Sequence, residues 1–157
     1  MSTENAEIVR ACTEDFGRLT PEEIPEWVEE FWDREADFYP VRKFPESHPC
    51  HGQDEITAFM AGFSAAYEPF ALEVKNLFSV GDDRVLAHVI LSAEGRTSGV
   101  RLAGDIYICC WLRTGKIFRR EDHLTVAGAL QAFGLNGASL EAAGLRRNAV
   151  PRDTSGE

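Results

Sequence analysis

The chain has 157 residues, 44% of them hydrophobic and 27% charged, with a formal net charge of -10 at pH 7. That length suits one domain with a real core, and the composition excludes wholesale disorder. The acidic balance argues against nucleic acid or an anionic membrane as a partner, no apolar run approaches a transmembrane span, and residues 1–7 carry no basic, signal-like leader, so a cytoplasmic protein is expected.

In chain order, residues 4–18 are expected to form a first helix, because Ile8, Cys12, Phe16 and Leu19 recur on one face and Ser2 or Thr3 can cap it. Thr20-Pro21-Glu22-Glu23 is a helix-start pattern, but Pro25 would break the ladder that deep. A turn at 21–24 and a main helix at 25–33 burying Trp27, Val28 and Phe31 are therefore expected, then a short strand over 36–40 that ends at Pro40. After a loop rich in proline and charge, Gly52-Gln53-Asp54-Glu55 opens a helix through Tyr67, with Ile56, Phe59, Met60 and Phe63 on its buried face. Strands are expected at 70–80, 84–94, 98–112 and 116–124, joined by turns at Gly81-Asp82-Asp83 and Thr114-Gly115. Short connections make these strands antiparallel neighbours, and helices gathered at the front of the chain give an α+β fold. The similar stretches ALQAFGL (129–135) and SLEAAGL (139–145) predict two short helices, each closed by a glycine, covering an opening or a sheet edge. A single domain over 1–145 and a disordered tail over 146–157 complete the plan.

Cysteines at 12, 50, 109 and 110 form neither a zinc spacing nor a Cys-x-x-Cys motif, and reduced thiols fit them best. His48-Pro49-Cys50-His51 offers metal-ligand chemistry, but no second cluster completes it, so neither metal nor cofactor is expected; a histidine there could line a pocket mouth instead. His88 shares a strand face with Leu86 and Ile90, turned away from the expected cavity.

Two strands carry the candidate site. Ile106, Ile108, Cys110 and Leu112 form an aliphatic face, while Asp105, Tyr107, Cys109 and Trp111 form an aromatic and polar one. The second is the mixture a ligand pocket needs, although a core tyrosine and tryptophan with their polar ends satisfied locally would give the same pattern. In GKIFRREDHL (115–124), alternation puts charge on both faces, as in an exposed edge or in the wall of a polar site.

The stretches AEIVRACTEDFGRL, WVEEFWDREADFYPV, HGQDEITAFM and WLRTGKIFRREDHL, in this order and spacing, resemble the nuclear-transport-factor-2-like superfamily, especially its SnoaL-like branch, over residues 4–135. The resemblance implies a cone, made by a curved mixed and mainly antiparallel sheet wrapped around N-terminal helices. It also implies a ligand cavity in the wide end and a homodimer. The family hosts ketosteroid isomerases, polyketide cyclases, epoxide hydrolases, dehydratases and non-catalytic binding proteins, so the fold alone does not set the function. Where ketosteroid isomerases carry their acid–base groups, this chain has Cys12, Tyr39 and Tyr107, and two carboxylates are missing. Arg101 and Asp105 lack the Arg-x-Asp spacing of the epoxide hydrolases. The acidic residue that cyclases and epoxide hydrolases place on the last strand matches Asp122.

By this resemblance Phe118, Arg120, Asp122 and Leu124 face the cavity, and Ile117, Arg119, Glu121 and His123 face outward. Asp122 beside Arg120 is then the candidate acid or base, or else half of a structural ion pair. Tyr39 and Tyr107 are candidate donors to a ligand oxygen, and Asp105, Cys109, Trp111, Phe59 and Trp27 complete the wall. The expected function is a cofactor-independent isomerase, cyclase, dehydratase or hydrolase acting on a small, apolar, oxygenated molecule. The alternatives are a binding protein using the same cavity and a purely structural dimeric protein. The aliphatic face of residues 106–112, with Leu86 and Ile90, is the expected homodimer contact.

Overall fold

The computed structural model describes residues 2–41, 47–135 and 146–147. Helix α1 (Ser2–Phe16) buries Cys12 and Phe16 of the expected stripe together with Val9, while Ile8 and Leu19 are only partly buried. A single 3-10 turn (Pro21–Glu23) then leads into α2 (Ile24–Phe31). Glu23 reaches back to accept from the Thr20 backbone N–H at 2.9 Å, and the turn lets Pro25 sit within the first turn of α2, where its missing N–H is harmless. Strand β1 (Trp32–Tyr39) begins four residues earlier than the sequence suggests, because Trp32, Ala36 and Phe38 all turn to the core. A two-residue strand β2 (Cys50–His51) precedes α3 (Gly52–Ala66), whose Ile56, Met60 and Phe63 are buried and whose Phe59 is half-buried.

Four long strands follow: β3 (Tyr67–Val80), β4 (Arg84–Gly95), β5 (Arg101–Arg113) and β6 (Lys116–His123). Thr114 and Gly115 both have positive φ, 47° and 79°, as a two-residue hairpin between β5 and β6 demands. A last helix α4 (Val126–Ala132) is capped by Thr125, whose hydroxyl accepts from the Gly128 N–H at 3.0 Å. The sheet order is β2-β1-β6-β5-β4-β3-β7, where β7 is Arg146–Arg147 on the edge beside Ser79 and Phe78, within the segment expected to be a tail. All neighbours are antiparallel except β1 and β6, which run parallel, so the sheet is mixed as expected. The second expected short helix, at 139–145, and residues 148–157 lie outside the described residues.

The main core lies between the three N-terminal helices and one face of this sheet. A second, smaller core lies on the other face, where α4 covers Phe78, Val80, Leu86 and Cys109. No helix of the described residues is long and apolar enough to cross a membrane.

Candidate functional site

The faces of β5 are opposite to expectation. Ile106, Ile108, Cys110 and Leu112 pack against the helices, and Asp105, Tyr107, Cys109 and Trp111 lie on the outer face. The aliphatic set is therefore core within one chain, not a homodimer contact, and α4 is the helix that covers part of the outer face. On β6 the expectation holds for Arg120 and Asp122, which stand beside Cys110 and Ile108 on the inner face. It fails for Ile117: the register shifts between Leu112–Ile117 and Trp111–Arg119, so Phe118 is an extra residue and Ile117 also turns inward, 1% exposed.

The inner face and the helices enclose a cleft of about 410 Å³, solvent at its mouth included, with about 50 Å³ open to the centres of water molecules. Phe16, Phe38, Phe59, Phe63 and Phe70 line it, with Met60, Leu72, Leu91 and Ile106 between them and Pro40 at one edge. The rings meet edge to face, Phe38 with Phe59 at 5.5 Å and Phe63 with Phe70 at 5.2 Å, which is the favoured geometry for aromatic pairs. Among the described residues that line it, the only charged groups are Arg120 and Asp122. They form a bidentate pair: Arg120 Nε donates to Oδ1 at 2.7 Å and Nη2 to Oδ2 at 2.9 Å. Their side chains are 10% and 9% exposed. The guanidinium also lies over Phe38, 4.8 Å from its centre, and over Trp32, at 5.8 Å. Burial works against the Arg120 charge, but the charge and hydrogen bonds of Asp122 outweigh it, and the Arg120 pKa is raised.

Of the sequence-predicted residues, the cleft thus gathers Asp122, Arg120 and Phe59. Tyr39 points outward with the Arg119 guanidinium 4.8 Å from its ring, in a separate groove that Asp122, Glu121, His123 and Leu124 also border. Leu124 is 48% exposed at this rim. Tyr107 stacks on His88 at 4.8 Å, and His88 Nε2 bonds exposed Asp105 at 2.7 Å. Burial, and then the Asp105 charge, raise the Tyr107 pKa. Trp111 lies beneath Phe133, just after α4, and the Cys109 thiol, buried under that helix, donates to the Ala129 carbonyl at 3.6 Å. Trp27 belongs to the helix layer, where its indole N–H donates to the Cys12 carbonyl at 3.1 Å. Phe118 carries the Arg113 guanidinium on its ring, 4.9 Å away. Parity counted without the bulge, and without α4 as a cover, misplaced these residues. Sequence reasoning also missed Phe38, Phe70 and Trp32, although Ala36 and Phe38 alternate with the polar Asp37 and Tyr39 and so mark the inner face of β1.

In the 48–51 segment, His48 meets Phe59 edge-on at 5.7 Å, beside the cleft, while Cys50 is buried with its thiol pushed up to about 11. His51 turns to Asp37, with Nδ1 and Oδ1 2.5 Å apart. Among the described residues no group of three histidine, cysteine or acidic side chains converges as metal ligands would.

The last long strand thus turns an acid–arginine pair into an aromatic cleft between the sheet and the helices. The family model of the SnoaL-like domain matches residues 10–120. The chain belongs to the SnoaL-like family. No curated protein matches it in sequence. Solved structures share its fold at low identity. A protein with a ketosteroid isomerase-like fold from Catenulispora acidiphila DSM 44928, in complex with trimethylamine, is 15% identical with a TM-score of 0.63, covering 83% of this chain and 94% of its own. A protein assigned as a SnoaL-like polyketide cyclase, from Jannaschia sp. CCS1, is 14% identical with a TM-score of 0.66, covering 87% and 95%. TerC, co-crystallised with polyporic acid, is 18% identical with a TM-score of 0.63, covering 90% and 98%.

Proposed function

We propose that this SnoaL-like chain binds a small, largely apolar, oxygenated molecule in its aromatic cleft and turns it over by acid–base chemistry at Asp122, as an isomerase, cyclase, dehydratase or hydrolase needing no cofactor. One observation carries the reading: among the described residues the sole carboxylate lining an otherwise apolar cleft is Asp122, held in a fixed orientation by Arg120. A carboxylate placed this way can accept a proton from a carbon acid or a hydroxyl and return it to a neighbouring atom, with Arg120 countering charge that develops. The small ligands of two fold neighbours, trimethylamine and polyporic acid, support a small-molecule site.

The same bidentate pair favours a second reading, a binding protein in which Asp122 only keeps Arg120 in place. We take the protein to work in the cytoplasm, where its four free cysteines, all buried, stay reduced. We also take it to form a homodimer through the part of the outer face that α4 leaves open, around His88, Ile90 and Tyr107. A panel of single-ring ketones, esters and epoxides separates the readings. Binding should shift amide signals of Phe38, Phe59 and Ile106, and any compound turned over is then assayed with Asp122→Asn. Loss of turnover with binding kept within about tenfold, roughly 1.4 kcal/mol, supports the enzyme. Full activity of that variant leaves the binding protein.

A further inference from the structure

Arg120 offers more donors than its partner can take. A guanidinium carries five N–H groups in a planar fork, and an ionised carboxylate only accepts. Nε and Nη2 go to Asp122, and Nη1 has no hydrogen-bond acceptor among the described residues. On one face of the same guanidinium, the Trp32 indole N–H is buried with no partner either. The other ring on the guanidinium, Phe38, offers only a π face. Leaving a buried donor unsatisfied costs roughly 1–3 kcal/mol. Of these donors the Trp32 N–H is the fully buried one, and with the spare Nη1 beside it the ion pair marks the place of a missing acceptor.

The charge of the pair narrows what that acceptor is. Arg120 and Asp122 cancel formally, so an anion would bring uncompensated charge into an apolar cleft. A cation would find both carboxylate oxygens already bonded and the guanidinium repelling it. What remains is an uncharged oxygen acceptor on a flat, apolar body that fits between phenylalanine edges. We propose that the cleft selects uncharged single-ring carbonyl compounds, whose oxygen accepts from Arg120 Nη1, and that Arg120 is the specificity-determining residue that rejects amines and carboxylates. The proposal rests on the reading of this cleft as the small-molecule site.

Four probes of similar size test it by calorimetry at pH 7: acetophenone, ethylbenzene, benzylamine and benzoate. Acetophenone should bind at least about tenfold tighter than ethylbenzene, although ethylbenzene is the more apolar, because a site built around a polar partner rejects the analogue lacking it. Benzylamine and benzoate should bind more weakly than acetophenone. Infrared spectra should show the carbonyl stretch of bound acetophenone lowered by the guanidinium. The double variant Arg120→Met with Asp122→Leu keeps the volume without leaving a lone charge; there acetophenone should fall to the affinity of ethylbenzene and lose the lowered stretch. If that variant does not fold, the wild-type series and spectrum decide alone. Equal binding of acetophenone and ethylbenzene, tighter binding of either ion, or an unshifted stretch overturns the carbonyl selection while the cleft reading stands. Binding of none of the four overturns the cleft reading and this proposal with it.

Discussion

Arg120 and Asp122 each cost several kcal/mol to bury alone, and only their mutual geometry makes the pair tolerable. Removing one partner strands the other: Asp122→Ala and Arg120→Ala should each lower stability by about 3–5 kcal/mol in urea unfolding, whereas Arg120→Met with Asp122→Leu should cost far less than their sum. Additive losses would show that the pair is not coupled. The thiols give a second test. Burial, partly opposed by Arg120, pushes Cys110 up to about 12 from an ordinary 9.0, and burial pushes Cys50 to about 11. Above pH 9 the unfolded chain loses thiol protons that the folded chain keeps, so it binds fewer protons and stability falls as pH rises, until the folded thiols titrate as well. The loss from these groups should therefore run from pH 9 to the region of 11–12, and Cys110→Ala should flatten it. A variant with the wild-type slope would refute this. At exposed His51, the hydrogen bond and charge of Asp37 raise the pKa. Its NMR titration midpoint should lie above 6.5 and drop in Asp37→Asn.

α4 is seven residues long and would not hold as a helix by itself; it is fixed by what it covers. Leu130, 2% exposed, packs with Phe133 into the second core with Phe78 and Leu86. Leu130→Ala should cost about 2–5 kcal/mol in chemical denaturation. A loss under 1 kcal/mol would mean that α4 is an ornament on the sheet rather than part of its core. Much of the architecture was legible in the sequence, because the 3.6-residue stripe of α1, the helix-start pattern at Thr20 and the hairpin pair Thr114-Gly115 are local signals. What was not legible depends on non-local partners. Which face of β5 is inner depends on whether helices or α4 supply the better cover, and both faces are apolar enough for either. The bulge at Phe118 reverses Ile117 without any local mark. The inner placement of Asp122 and Arg120 came from the family resemblance, and both lie beyond that bulge, in regular register with β5.

The outer face of the sheet is split between α4 and an open strip. In that strip three histidines each meet a carboxylate: His88 with Asp105, His51 with Asp37, and His123 with Glu121 at 3.2 Å. The half-buried Ile90 and Tyr107 lie beside them, and a two-fold contact here would let positive and negative groups face their opposites. The homodimer proposed above should appear in light scattering at micromolar concentration, and Ile90→Arg should make it a monomer with its fold intact. A wild-type monomer would end that part of the proposal.

The one parallel pairing among the described strands also has a consequence in time. β1 meets β6 only by joining residues 32–39 to residues 117–121, with one helix and four strands of the chain between them. Closing a contact so distant along the chain comes late and slowly, after the local hairpins have formed. Phe38 and Pro40 reach Asp122 only through that closure, so a nascent chain still lacking β6 has the aromatic pocket's helices but not its acid. In refolding experiments, ligand capture should follow the slowest phase rather than the growth of secondary structure, making the site a readout of completed folding.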